Sequence, residues 1–130
     1  MQKTFLLLML LVTVSSAFSQ QSSTENQPKI YVESTTIDYG IVKKGSDGIR
    51  KLKVYNKGTA PLLLTSCTPS CGCTAPECPK DPILPGKFTF ISVNYTKMND
   101  LGHFTKSLSV TSNDPNQPGL TITIRGEVKE

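Results

Sequence analysis

The chain has 130 residues, with 14 lysines and arginines against 10 aspartates and glutamates, nine glycines, nine prolines, four cysteines and no tryptophan. That length holds one small domain with a modest core and not two. The formal excess of +4 is scattered along the chain and forms no patch, which removes the electrostatic case for a nucleic-acid partner.

In chain order, Lys3 precedes an uncharged apolar run from Phe5 to Val14, and the small residues Ala17 and Ser19 stand just before Gln20. This is the layout of a cleavable secretory signal over residues 1–19, cut between Ser19 and Gln20. The run falls short of the roughly 20 residues that a membrane-crossing helix needs. The expectation is an exported protein, periplasmic or secreted, with no membrane insertion after signal cleavage. Residues 20–28 are polar and read as a disordered leader.

Residues 29–130 read as one β domain. Lys29–Thr35 and Thr36–Val42 are the first strand candidates, the second with Ile37, Tyr39 and Ile41 on one face. After the turn composition of residues 43–48, Leu52 and Val54 alternate with Lys51 and Lys53, as in a sheet with one wet face. Asn56-Lys-Gly58 turns the chain, and Pro61–Ser66 is a short strand. Residues 79–86 hold three prolines and read as extended and irregular. In Lys87–Tyr95 the faces compete. Ile91, Val93 and Tyr95 are expected inward, with a bulge or partial burial near Phe88 and Phe90. Phe104, Leu108 and Val110 form the next inward face, and Leu120, Ile122, Ile124 and Val128 the last. Asp38, Asp81, Asp100 and Asp114 fall in or beside turns, where Asp is expected for backbone reasons. The expected core is Leu52, Val54, Leu62, Leu64, Ile91, Val93, Leu108, Val110, Ile122 and Ile124. About seven short alternating strands in some 100 residues predict an all-β, immunoglobulin-like β-sandwich, with a barrel as the alternative.

All four cysteines, Cys67, Cys71, Cys73 and Cys78, lie between Ser66 and Cys78. Pro69, Gly72 and Pro76 among them point to an exposed loop. Bunched this way, they are not expected to join the two sheets as the usual antibody-domain pair does. In an exported protein an even count favours disulfides. Cys67 with Cys78 is the favoured pair because it closes a loop of easy length. Cys71 with Cys73 is disfavoured, because only Gly72 separates them.

Several segments then stand in order: Asn56-Lys-Gly-Thr-Ala-Pro-Leu62, Ser70-Cys-Gly-Cys-Thr74, Pro82-Ile-Leu-Pro-Gly86, Gly102-His-Phe-Thr-Lys106 and Val110-Thr-Ser-Asn113. Together they resemble the secreted bacterial domain-of-unknown-function family 1573, over most of the chain beyond the signal. The resemblance implies a hydin-type, immunoglobulin-like sandwich and brings no established activity. Cys71 and Cys73 match the family's paired cysteines. Cys67 and Cys78 are extras, which points to a local disulfide particular to this chain.

Three chemistries compete for the cysteine loop. A structural bridge would stabilise a small domain by about 2–4 kcal/mol. Cys71 and Cys73 are the candidates for thiol redox chemistry, and also for a soft metal, although the Cys spacing is not that of common structural zinc sites. His103 is the single histidine and cannot by itself anchor a catalytic triad. No phosphate loop is present. The expectation is a non-catalytic binding or scaffolding module, without cofactor or bound metal. Its partner is an unidentified envelope or extracellular protein that pairs with an exposed strand edge. A thiol-redox or soft-metal-handling protein is the alternative.

Overall fold

A computed structural model describes residues 25–130. The expected signal, residues 1–19, and the first part of the expected leader lie outside the described residues. The described residues form eight strands: β1 (Ile30–Tyr31), β2 (Thr36–Lys43), β3 (Ile49–Asn56), β4 (Leu64–Pro69), β5 (Thr74–Glu77), β6 (Phe88–Tyr95), β7 (Gly102–Ser112) and β8 (Gly119–Lys129). They make two four-stranded sheets, the first in the order β1-β3-β6-β5 and the second β2-β8-β7-β4. All pairings are antiparallel except β2 with β8, which is parallel. This is the expected immunoglobulin-like sandwich, with eight strands in place of about seven.

Alternation explains which faces meet. Leu52 and Val54 of β3, and Ile91, Val93 and Tyr95 of β6, turn inward from the first sheet. Leu108 and Val110 of β7, and Ile122, Ile124 and Val128 of β8, turn inward from the second. Fully burying each Val, Leu or Ile contributes about 1.5–3 kcal/mol. Every residue of the expected core is buried apart from Leu64, which is partly buried against it. Ile83 joins the core from the segment that reads as irregular, and Met98 from the connection between β6 and β7. Ile83 does so by a backbone bridge to Leu62.

Four expectations need correction. Ile41 is 68% exposed. The β2–β8 register shifts between Asp38 and Ile41, and Gly40 there has φ of 65°, a left-handed conformation natural to glycine. The bulge reverses the facing, so Val42 and not Ile41 packs on the core. The β3–β6 register runs without a break past Phe88 and Phe90, so no bulge accommodates them. They stand half exposed on the outer face.

The expected leader also ends inside the fold. The Gln27 carbonyl accepts from the N–H groups of Thr59 and Ala60, and Pro28 is buried. Gly58 permits this approach, since a Cβ there would lie 2.2 Å from the Gln27 oxygen. Finally, the cysteine stretch is not all loop. It holds the end of β4 and all of β5, and their prolines are tolerated because both are edge strands.

Two buried polar side chains, Asn56 and Asp114, organise the start of the domain. Asn56 Oδ1 accepts from the N–H of Lys29 and of Gly58, and Nδ2 donates to the carbonyls of Ala60 and Ile83. All four of its bonding positions are thereby used.

Candidate functional site

The cysteine stretch crosses from the edge of the second sheet to the edge of the first. Cys67 lies in β4, opposite Val110, and Cys78 directly follows β5. The structure joins Cys67 to Cys78, with Cα atoms 5.7 Å apart. The link therefore connects the two sheets, contrary to the expectation drawn from the bunched cysteines. Closeness in sequence hid this, because the crossover between the sheets takes place inside the stretch.

Cys71 and Cys73 are joined as well, with Cα atoms 5.3 Å apart. The sequence disfavoured that pair. A bend at Ser70–Cys71 followed by a turn at Gly72–Cys73 brings the two Cα atoms within the normal range for a disulfide. The turn is held from both sides. Ser70 N–H donates to the Ser107 carbonyl, Ser107 N–H donates to Ser70 Oγ, and the Cys73 carbonyl accepts from Thr96 N–H and Oγ1. All four cysteines are partly buried. Among the described residues no group of three or more His, Cys, Asp or Glu is placed to hold a metal. Beside Cys73, the buried Thr74 hydroxyl has no hydrogen-bond partner.

His103 is exposed, its Nε2 3.7 Å from Glu127 Oε1. It overlooks a shallow depression at the β2 bulge, where Arg125 Nε donates to Asp38 Oδ2 at 3.0 Å. The Gly40 N–H and Arg125 hold the Asp38 carboxyl below its ordinary value. Glu127 also faces Lys129 at 3.7 Å. Both carboxylates are thus matched by cations at the surface, and the residues around His103 do not assemble a nucleophile and base.

A second feature lies on the outer face of the first sheet. Tyr31, Tyr55 and Phe88 stand side by side across β1, β3 and β6, with ring centroids 6.0 and 5.9 Å apart, and Phe90 follows at 5.7 Å from Phe88. Lysine ammoniums rest on these rings, Lys57 3.4 Å from the Tyr31 centroid and Lys53 3.9 Å from that of Phe88. Phe88 and Phe90 are 50% and 46% exposed. Sequence reasoning registered only a wet face here. The signal was the pairing of Lys51-x-Lys53-x-Tyr55 with Phe88-x-Phe90, two outward rows that the register places opposite each other.

The same strand has an open edge. Tyr95 N–H donates to the Gly48 carbonyl and Asn56 N–H to the Lys87 carbonyl. The even-numbered residues of β3 therefore aim their backbone groups at β6, and residues 49, 51, 53 and 55 aim theirs away. Tyr55 is met there by Tyr31 of β1. Ile49 is satisfied locally, its N–H by Asp47 and its carbonyl by Arg50. β1 ends after two residues, and among the described residues nothing pairs with Lys51 or Lys53 on that side. The other edges are blunted, β4 by Pro69, β5 by Pro76 and β2 by its bulge.

The profile of the family described as Protein of unknown function (DUF1573) matches residues 30–128. No curated protein matches the chain. Among solved structures, a protein of unknown function from Porphyromonas gingivalis W83 is similar at 23% identity and TM-score 0.70, over 84% of this chain and 51% of that one. PapD-like domain 7 of human CEP192 matches at 13% identity and TM-score 0.62, over 89% and 96%. The periplasmic chaperone SfaE matches at 10% identity and TM-score 0.59, over 78% and 59%. The chain spans about half the length of the Porphyromonas protein. At these identities the likeness is one of fold.

Proposed function

The chain belongs to the DUF1573 family, and we propose that it is a non-catalytic binding or scaffolding module. It holds an extended segment of an envelope or extracellular protein along the open edge of β3. The observation that carries this reading is the pair Lys51 and Lys53, whose backbone donors and acceptors face outward beyond the end of β1. Added strands gain main-chain hydrogen bonds at such an edge. The pairing of all four cysteines, as in proteins of oxidising compartments, fits an exported module of this kind. The cysteine bridges then serve as pins that close two competing edges. The test is co-purification of an envelope protein with the natively exported chain. Lys51→Pro removes an outward N–H without breaking a bond to β6, and it should abolish capture while circular dichroism stays unchanged. Capture that survives the substitution would exclude this edge.

A thiol-redox or soft-metal role for Cys71 and Cys73 is the second reading. The observation in its favour is the very small ring at a turn, with Gly72 exposed between the two cysteines. A thiol with depressed pKa after reduction, or metal retained stoichiometrically on purification, would support it.

A further inference from the structure

The open edge and the lysine-capped aromatic face meet at Lys53. Its backbone faces the edge while its ammonium rests on Phe88 and lies 4.9 Å from the Tyr55 centroid. From this juxtaposition we infer that the segment accepted by β3 is acidic and alternating, with Asp or Glu at every second position and apolar residues between. The inference rests on the edge-binding reading above and adds the chemistry of the partner.

Unpaired N–H and C=O groups in strand geometry select a polypeptide, because only another backbone matches their spacing. A strand laid against β3 points alternate side chains to the outer face. There its nearest neighbours are Lys51 and Lys53, which lie outward beside the inward Leu52 and Val54. Opposite charges facing each other across strands stabilise pairing, and like charges oppose it. The intervening side chains point the other way, alongside Leu52, and are apolar for the same reason that Leu52 is.

A second copy of this chain does not fit, since antiparallel pairing of two β3 edges would set lysines against lysines. The aromatic floor adds preorganisation. Lysines already resting on rings give up less side-chain freedom when a carboxylate arrives. Between Tyr31 at one end and the locally satisfied Ile49 at the other, the contact is short, and so it is a weak and salt-sensitive one.

The experiment titrates the isotopically labelled full chain with a short end-blocked peptide of alternating Glu and Val, following the amide resonances of Lys51 and Lys53. Saturable shifts at these amides are expected, with affinity falling as salt rises. The double variant Lys51→Glu and Lys53→Glu should lower affinity about tenfold or more, the worth of about 1.4 kcal/mol. If that variant does not fold, Lys51→Gln with Lys53→Gln should weaken binding in the same direction. A Lys-Val peptide that binds equally well would overturn the acidic inference and leave edge binding standing. Failure of both peptides to move the two amides would overturn the edge reading itself. Signals from Tyr55 and Phe88 that shift with polygalacturonate, and not with the Glu-Val peptide, would assign the face to an anionic glycan and overturn the inference.

Discussion

The backbone N–H of Ile30 donates to Asp114 Oδ2 at 2.9 Å, across 84 positions of sequence. Asp114 is only 2% exposed, and its other oxygen accepts from the N–H groups of Asn116 and Gln117. One carboxylate thus shapes the β7–β8 turn and fastens the first strand to it. Asp114→Ala strands three backbone donors and should lower stability by about 2–4 kcal/mol. Denaturant midpoints measure this. A change within about 0.5 kcal/mol, typical of an ordinary surface position, would show that water takes over the role.

The sandwich predicts a sharp contrast between neighbours in β8. Ile122 is fully buried between the sheets and Thr123 faces outward. Ile122→Ala should cost about 2–4 kcal/mol through lost burial and the cavity left behind. Val110→Ala in β7 should cost less, since fewer atoms are removed. Thr123→Ala should change stability by under about 0.5 kcal/mol. Equal midpoints for Ile122→Ala and Thr123→Ala would contradict the facing of β8.

Alkaline pH should weaken the fold through Tyr39. Burial pushes its phenol above the ordinary value, against the pull of the Arg50 guanidinium 4.5 Å from the ring centroid. The hydroxyl donates to the Gly48 carbonyl at 2.6 Å. In the unfolded chain the phenol ionises near 10. Between that pH and the higher native value only the unfolded chain loses the proton. Stability from this group is therefore complete below about pH 10, falls as pH rises beyond it, and is gone above the native value. Tyr39→Phe should flatten this decline, while removing about 1 kcal/mol at neutral pH with the lost hydrogen bond. Tyr95, also raised by burial, keeps some decline in place. An unchanged alkaline slope in Tyr39→Phe would show that other groups govern it.

Strand alternation made most of the core legible, because burial at Leu52, Val54, Ile122 and Ile124 is a property of local pattern. What escaped was set by distant partners. Asp114 and Asn56 look like turn residues, and nothing local reveals that each satisfies backbone groups of the segment around Lys29 and Ile30. Ile41 was misfaced by one left-handed glycine, since a single extra residue reverses every later side chain. Pro69 and Pro76 read as loop markers, yet at sheet edges they are compatible with strands. The aromatic face went unread because Tyr31, Tyr55 and Phe88 come from three strands, and only their register makes them neighbours.

The two cysteine pairs should separate cleanly by mutation. Alkylation of natively exported protein without reductant, followed by peptide mapping, should find all four thiols protected as Cys67–Cys78 and Cys71–Cys73. In the chain-entropy view a bridge stabilises by restricting the unfolded chain, more so for a longer loop. Cys67 and Cys78 are 11 positions apart and Cys71 and Cys73 only two. Replacing Cys67 and Cys78 with Ser should therefore cost about 3 kcal/mol, and replacing Cys71 and Cys73 about 1.5 kcal/mol. The first loss also frees the β4 edge from the β5 edge, so amide exchange should quicken in both strands at once. The second should leave β4 protected through its ladder to β7. Four alkylated thiols in the native protein would remove the disulfides. Thiols that stay protected until a chelator is added would move the cysteine stretch from a structural pin to a metal site.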